Sequence, residues 1–192
     1  TVHPKVWNAF ESGDKRKTAS IIDLVGEGIE SSFDLKDQRE YTGYTVKKYT
    51  PMAFADGTSA SKADGSGDFQ TSQHQDFVVV RYADVLLMAA ELGSSNAQLY
   101  FDKVRSRAGL TTKEPSQENI MKERFVEFAF EGQRYWDLLR QGIDVASSTI
   151  AESGIELKSG GNPDVITITA DKIKTTKGFC QIPSTQITLS DN

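Results

Sequence analysis

Apolar positions recur at helical spacing through the middle and later parts of the chain. The clearest case is 120–141, IMKERFVEFAFEGQRYWDLLRQ. At about 100° per residue, Met121, Phe125, Phe128, Ala129, Tyr135, Trp136 and Leu139 share one wide face, which is assigned to a core. Arg124, Glu127, Glu131 and Arg134 share another, as a ladder of alternating charges. Ser116 is a fitting N-cap and Gly142 a fitting C′ residue. The pattern predicts one uninterrupted helix from Ile120 to Gln141.

Phe77 to Leu92 is apolar on nearly every side, which predicts a buried helix. Its Arg81, Asp84 and Glu91 form a stripe expected to pair with the charged ladder. After the turn at Gly93–Asn96, Ala97 to Ala108 reads as a return helix, with Leu99, Phe101 and Val104 as core and Gly109 as its stop. Thr18–Val25 and Val165–Thr169 are rich in β-branched residues and read as strands, and Tyr41–Tyr49, with weak alternation and several aromatics, reads as a strand or an extended segment. Val145–Ile155 reads as a short helix and Ser159–Pro163 as a turn. Residues 55–76 are rich in Gly, Ser and Asp, lack the means to pack a core, and are expected to be the most mobile part of the chain.

The charged ladder admits three readings. A solvated face would hold pairs contributing about 0.2–0.5 kcal/mol each. The flanking Phe130 and Leu138 favour a half-buried network between helices, which must be fully paired, because an orphan buried charge costs several kcal/mol. Catalysis is disfavoured: opposite charges hold carboxylates ionised, and acid–base work needs a carboxyl pushed toward neutral pH.

Composition narrows the classes. The 192 residues suffice for a sizeable core. The net charge of −5 argues against a nucleic-acid binder. No apolar run approaches the roughly 18 residues of a membrane span. Cys180 is the single cysteine and reads as a buried thiol. His3 and His74 are isolated, and no metalloprotease, P-loop or serine-hydrolase motif occurs. Asp64, Ser66 and Asp68 alternate like the opening of a calcium loop. Phe69 and Gln75 stand where its glycine and its bidentate Glu belong, so no metal and no cofactor is expected.

ERFVEFAFEGQRYWDLLRQG resembles the signature helix of the SusD/RagB family, roughly E-R-x-x-E-[LF]-x-F-E-G-x-R-[WY]-x-D-L-x-R. Glu123, Arg124, Glu127, Phe130, Glu131, Gly132, Arg134, Asp137, Leu138 and Arg140 match. Arg81–Glu91, RYADVLLMAAE, and Val104–Leu110, VRSRAGL, resemble two further blocks in the family's order. Gly13, Asp14 and Arg16 loosely match a G-D-x-R element, the 41–49 stretch resembles a tGY…KKY segment, and FCQIP resembles the closing I-P.

The resemblance implies a mainly α fold of TPR-like antiparallel helical repeats with long irregular loops and a few short strands. It implies that residues 1–192 form a single domain, the C-terminal part of a longer chain whose N-terminal part carries a lipid anchor. It implies a non-catalytic glycan- or nutrient-binding lipoprotein at the outer-membrane surface, delivering oligosaccharide to a SusC-like TonB-dependent porin. Family members bind glycans with aromatics on loops before the R-Y-A-D helix. Here that region offers Tyr41, Tyr44, Tyr49 and Phe54, with Trp7 further off. Each ring taken alone also reads as strand-face packing. The alternatives are a helical scaffold that binds only protein, and a hydrolase.

Overall fold

The computed structural model describes residues 1–50 and 78–190. It divides into two compact units, residues 1–34 with 41–132, and residues 35–40 with 133–192. The fold is mainly α, as expected. The expectations for 55–76, including the calcium-like loop and His74, and for the site residue Phe54 lie outside the described residues.

The first unit opens with α1 (Pro4–Ala9), capped by the His3 ring accepting from the Lys5 amide, and α2 (Arg16–Ser20). β1 (Ile21–Asp23) follows and pairs antiparallel with β2 (Tyr44–Val46), Ile21 opposite Val46. The strand expected over Thr18–Val25 is therefore shorter. Its first residues complete α2, whose end places Ile21 fully inside.

Three longer helices come next: α3 (Tyr82–Glu91), α4 (Ala97–Arg107) and α5 (Gln117–Glu127). α3 and α4 form an antiparallel hairpin whose turn needs the left-handed backbone of Gly93, φ 74°. Leu86, Leu87 and Ala90 of α3 pack with Phe101 and Val104 of α4 and with Ile120, Met121 and Phe128. A second cluster gathers Val2, Phe10, Ile21, Val126 and Ala129. α5 thus feeds both clusters, and its charged residues lie between.

Two helix expectations need correction. α3 is not buried on every side: Tyr82, Val85, Met88 and Leu92 are exposed, as is Leu99 on α4. The predicted 120–141 helix is two helices. Ser116 caps α5 as expected, its side chain accepting from the Asn119 amide at 3.3 Å. The helix then stops at Phe128, and Phe130 and Gly132 turn into the left-handed region at φ 68° and 75°. A left-handed phenylalanine costs about 1–2 kcal/mol. Packing of its ring against the second cluster offsets that cost.

The second unit begins with α6 (Arg134–Leu139) and α7 (Ile143–Ile150). Trp136, assigned above to the core, is 60% exposed, because the break after α5 resets the helical phase; Asp137 and Leu138 point inward instead. β3 (Glu152–Ser159) and β4 (Asn162–Ile168) form an antiparallel hairpin about the turn at Gly160 and Gly161. β4 matches the strand expected near Val165. β3 replaces the end of the expected helix, and its register slips between Glu152 and Ile155, where Gly154 has φ 72°. α8 (Ala170–Thr175) and α9 (Ser184–Ser190) follow. Cys180 is exposed rather than buried, since the segment around it buries little.

At Gly132 an added Cβ would meet nothing within 4 Å, so only backbone strain opposes a side chain there. Gly132→Ala is expected to lower stability by about 1–2 kcal/mol in urea denaturation, with an unchanged m-value. Wild-type stability in that variant would contradict the left-handed turn.

Candidate functional site

The aromatics of the 41–49 stretch occupy different settings. Tyr41 is buried, its hydroxyl donates to Glu30 at 2.9 Å, and Phe33 meets it edge-on at 6.0 Å. Burial, then the Glu30 carboxylate, push its pKa up to about 12. Tyr44 sits on β2, half-buried, and stacks on Trp7 with ring centroids 4.7 Å apart and planes 20° from parallel. Lys17 places its ammonium 4.0 Å from the Trp7 ring centroid, so that ring already has two partners. Gly43 precedes Tyr44 with φ 84°, a conformation that favours glycine. Tyr49 is half-buried, and burial, then the Glu131 charge, raise its pKa. The structure therefore brings Trp7 and Tyr44 together, places Tyr49 near Glu131, and puts Tyr41 in the interior.

Beside this stretch lies an extended ion-pair network centred on Glu127, almost fully buried on α5. One Glu127 carboxylate oxygen accepts from Arg81 at 2.7 Å and from Arg107; the other accepts from Arg16 at 2.9 Å. Its backbone carbonyl accepts from Arg81 and from Lys48. Arg81 also donates to both oxygens of Glu131, which Lys48 reaches too. Arg16 continues to Asp14 and Glu123, and Arg105 links Glu123 at 2.8 Å to Glu11. Arg124 pairs with Asp84 at 2.6 Å. Phe128 lies against the guanidinium groups of both Arg81 and Arg124, 4.7 and 4.9 Å from its ring centroid.

The half-buried network expected between helices is thus present, and Arg81 and Asp84 pair with α5 as anticipated. Glu91 accepts from Gln117 at the start of α5 at 3.0 Å. Arg134 belongs to α6 in the second unit, where burial lowers its pKa. The contributions of Arg16, Lys48, Arg105 and Arg107 were not drawn from the charge pattern. Each lies in a short motif already singled out on other grounds, and that was the available signal.

The chemistry of this network is structural. Burial works to raise the Glu127 pKa, and the bonds from Arg16 and Arg81 outweigh it, so the carboxylate is held below its usual range. Glu11 is lowered to about 2, chiefly by its hydrogen bond from Arg105. Such groups stay ionised and move no proton near neutral pH. Among the described residues there is no group of three or more His, Cys, Asp or Glu placed to hold a metal, and no helix long and apolar enough to cross a membrane.

The segments that feed this network lie within residues 7–192, which the model of the SusD family matches. The chain belongs to the SusD family. SusD-like protein P2 of Formosa agariphila is 25% identical over 171 residues, 79% of this chain and 32% of that protein. SusD-like protein P25 of the same organism is 40% identical over 94 residues, 42% of this chain and 18% of that protein. Among solved structures, a laminarin-binding SusD-like protein is 31% identical, with a TM-score of 0.64 over 79% of this chain and 32% of that one. Surface glycan-binding protein A from Bacteroides thetaiotaomicron, in complex with laminarihexaose, is 26% identical, with a TM-score of 0.59 over 91% of this chain and 39% of that one. This SusD-family chain therefore spans 32% or less of the length of the two Formosa relatives.

Two outcomes follow from the network. Glu127→Ala leaves Arg16, Arg81 and Arg107 facing a cavity, and is expected to cost about 3–5 kcal/mol in chemical denaturation; a loss below about 1 kcal/mol would mean that the cations find water instead. The carboxylates with depressed pKa values contribute stability that is complete above their unfolded-state value and lost as pH falls through the folded one. Stability is therefore expected to fall between about pH 4.5 and pH 2, the interval over which Glu11 is shifted. Glu11→Gln should flatten part of that fall in urea titrations at stepped pH.

Proposed function

We propose that this chain is part of a non-catalytic glycan-binding protein that captures oligosaccharide at the outer-membrane surface and hands it to a SusC-like TonB-dependent porin. The observation that carries the reading is its likeness, over most of its length, to SusD-like proteins of known structure described as glycan-binding, one of them holding a hexasaccharide. Surface anchoring through a lipidated N-terminal segment, and the porin partner, belong to the proposal for the longer protein. The absence of a chemical task for the buried carboxylates supports a binding role over hydrolysis, since their partners keep them ionised.

In this reading, residues 1–192 act as one C-terminal module, and the 41–54 aromatics with Trp7 cover the apolar face of a sugar ring. Flat amphipathic rings suit that task because one edge stays wet. Tyr44 and Tyr49 are the foremost candidates among the described residues, being half-buried where Tyr41 is enclosed. The engagement of Trp7 by Tyr44 and Lys17 favours a second reading, a helical scaffold that binds only protein.

Affinity electrophoresis against soluble glycans, laminarin included, separates the two readings. For a glycan that retards the chain, Tyr44→Ala and Tyr49→Ala are each expected to weaken binding about tenfold by calorimetry, the equivalent of about 1–2 kcal/mol for a lost stacking ring. Unchanged affinity in both would remove the site from this stretch. Retardation by no glycan would leave the scaffold.

A further inference from the structure

The ion pairs joined to Glu127 do not balance. Among the described residues they link six cations, Arg16, Lys48, Arg81, Arg105, Arg107 and Lys113, with five carboxylates. The surplus positive charge is most open at Arg107, whose side chain is 61% exposed. Only its Nη2 is engaged, on a Glu127 oxygen that Arg81 already shares. Its Nε and Nη1 have no partner among the described residues.

Arg107 stands on a cavity of about 200 Å³. Arg16, Lys48 and Arg81 line it too, and among the described residues Glu127 is the one carboxylate in its wall. Ser20, the last residue of α2, completes the polar lining. Ser20 is only 5% exposed, and its hydroxyl forms no hydrogen bond among the described residues. That hydroxyl is not sealed from solvent either, so it opens on the cavity. A hydroxyl kept inside without a protein partner is satisfied by whatever enters beside it.

Charge and size select the occupant. Four positive side chains repel a cation, and a neutral molecule leaves their surplus unanswered. An oxyanion answers it: a guanidinium presents its N–H groups in a planar fork that fits the oxygens of a carboxylate or sulfate, and a hydroxyl adds a further donor. Pockets that hold a whole organic ligand enclose about 300–1,000 Å³. The smaller cavity here suits a charged group. The carboxylates paired with Arg16 and Arg81 hold those side chains in place, so the positive field is set before anything binds. Tyr49 follows Lys48 in the chain and feels the charges of Glu131 and Arg81, which makes the cavity a neighbour of the aromatic stretch.

We propose that this cavity binds a small oxyanion, a carboxylate or sulfate group, held by Arg107 and the Ser20 hydroxyl in the field of Arg16, Lys48 and Arg81. The group arrives as a free ion or as the acidic substituent of a sugar. The site stands apart from glycan capture on the aromatic stretch: a chain that no glycan retards still binds the ion, and an empty cavity leaves the tests of Tyr44 and Tyr49 as they are.

The test is a two-dimensional NMR titration of the isotope-labelled 192-residue chain with sodium sulfate, sodium glucuronate and glucose. Sodium chloride holds the ionic strength constant, because exposed charges are screened by salt. Saturable shifts at the Ser20 and Lys48 amides are expected with the two anions and not with glucose. Ser20→Ala and Arg107→Gln are each expected to weaken anion binding about tenfold or more, the loss of one charge-assisted hydrogen bond. Lys122→Gln removes an exposed charge that does not line the cavity, and is expected to leave the affinity unchanged. Tighter binding of glucuronate than of sulfate assigns the cavity to an acidic sugar, and the reverse assigns it to the free ion. Circular dichroism confirms folding of each variant. If Arg107→Gln unfolds, Ser20→Ala decides, since its hydroxyl has no partner to lose among the described residues. Absence of a saturable shift with both anions overturns the proposal. So do equal shifts with glucose, an affinity unchanged in Ser20→Ala, and an equal loss in Lys122→Gln, which would mark a diffuse positive surface.

Discussion

The carboxylate of Glu127 is the interaction on which the first unit depends. Three guanidinium groups, from Arg16, Arg81 and Arg107, converge on its two oxygens, and Lys48 reaches the carbonyl of the same residue. A carboxylate buried to this degree would be expelled or neutralised without partners, at a cost of several kcal/mol. With them it ties the segment after α1, the strand pair, α3 and α4 to α5. Apolar packing alone tolerates sliding and repacking. A charge that needs donors from three places does not, so the network sets which arrangement of helices the two apolar clusters adopt.

The location of the network explains the shape of α5. Ile120 and Met121 go to one cluster, Val126 and Ala129 to the other, and Glu123, Arg124 and Glu127 occupy the seam. Glu131, four residues beyond Glu127, stays on the same side and faces Arg81 and Lys48, while the left-handed turn at Phe130 and Gly132 ends the helix there. The glycine of the signature is there for its conformation, as the open space around its Cβ position shows.

Much of this was legible in the sequence, for a physical reason. The short motifs that carry the family resemblance are the segments that supply the network: Asp14 and Arg16, Lys48, Arg81 and Asp84, Arg105 and Arg107, and the charged positions of α5. What stayed hidden were departures from ideal periodicity. Nothing in the 3.6-residue pattern marks Phe130 as left-handed, so α6 was read in the phase of α5 and Trp136 was placed inside. β3 was missed because the irregularity at Gly154 interrupts its alternation. The aromatic stretch had a different obstacle. A list of tyrosines does not say which ring faces are taken, and the partner of Tyr44 is Trp7, on a helix 37 positions earlier by the numbering.

The same network bears on how the chain reaches its native state. Glu127 takes its donors from residues 20, 46 and 111 positions away along the chain. The nearest comes from α4 and closes a short loop; the Arg16 pairing closes a loop that spans more than half of the 192 residues. Until it closes, the carboxylate either stays in water or enters the interior underpaired, and neither state is a resting point. Contacts of such long range slow folding, because chain entropy is lost before the reward is collected. They also remove stable halfway forms: with its first sixteen residues detached, the helical part would hold a buried acid lacking one of its cations. The first unit therefore gains its core and its electrostatic balance together.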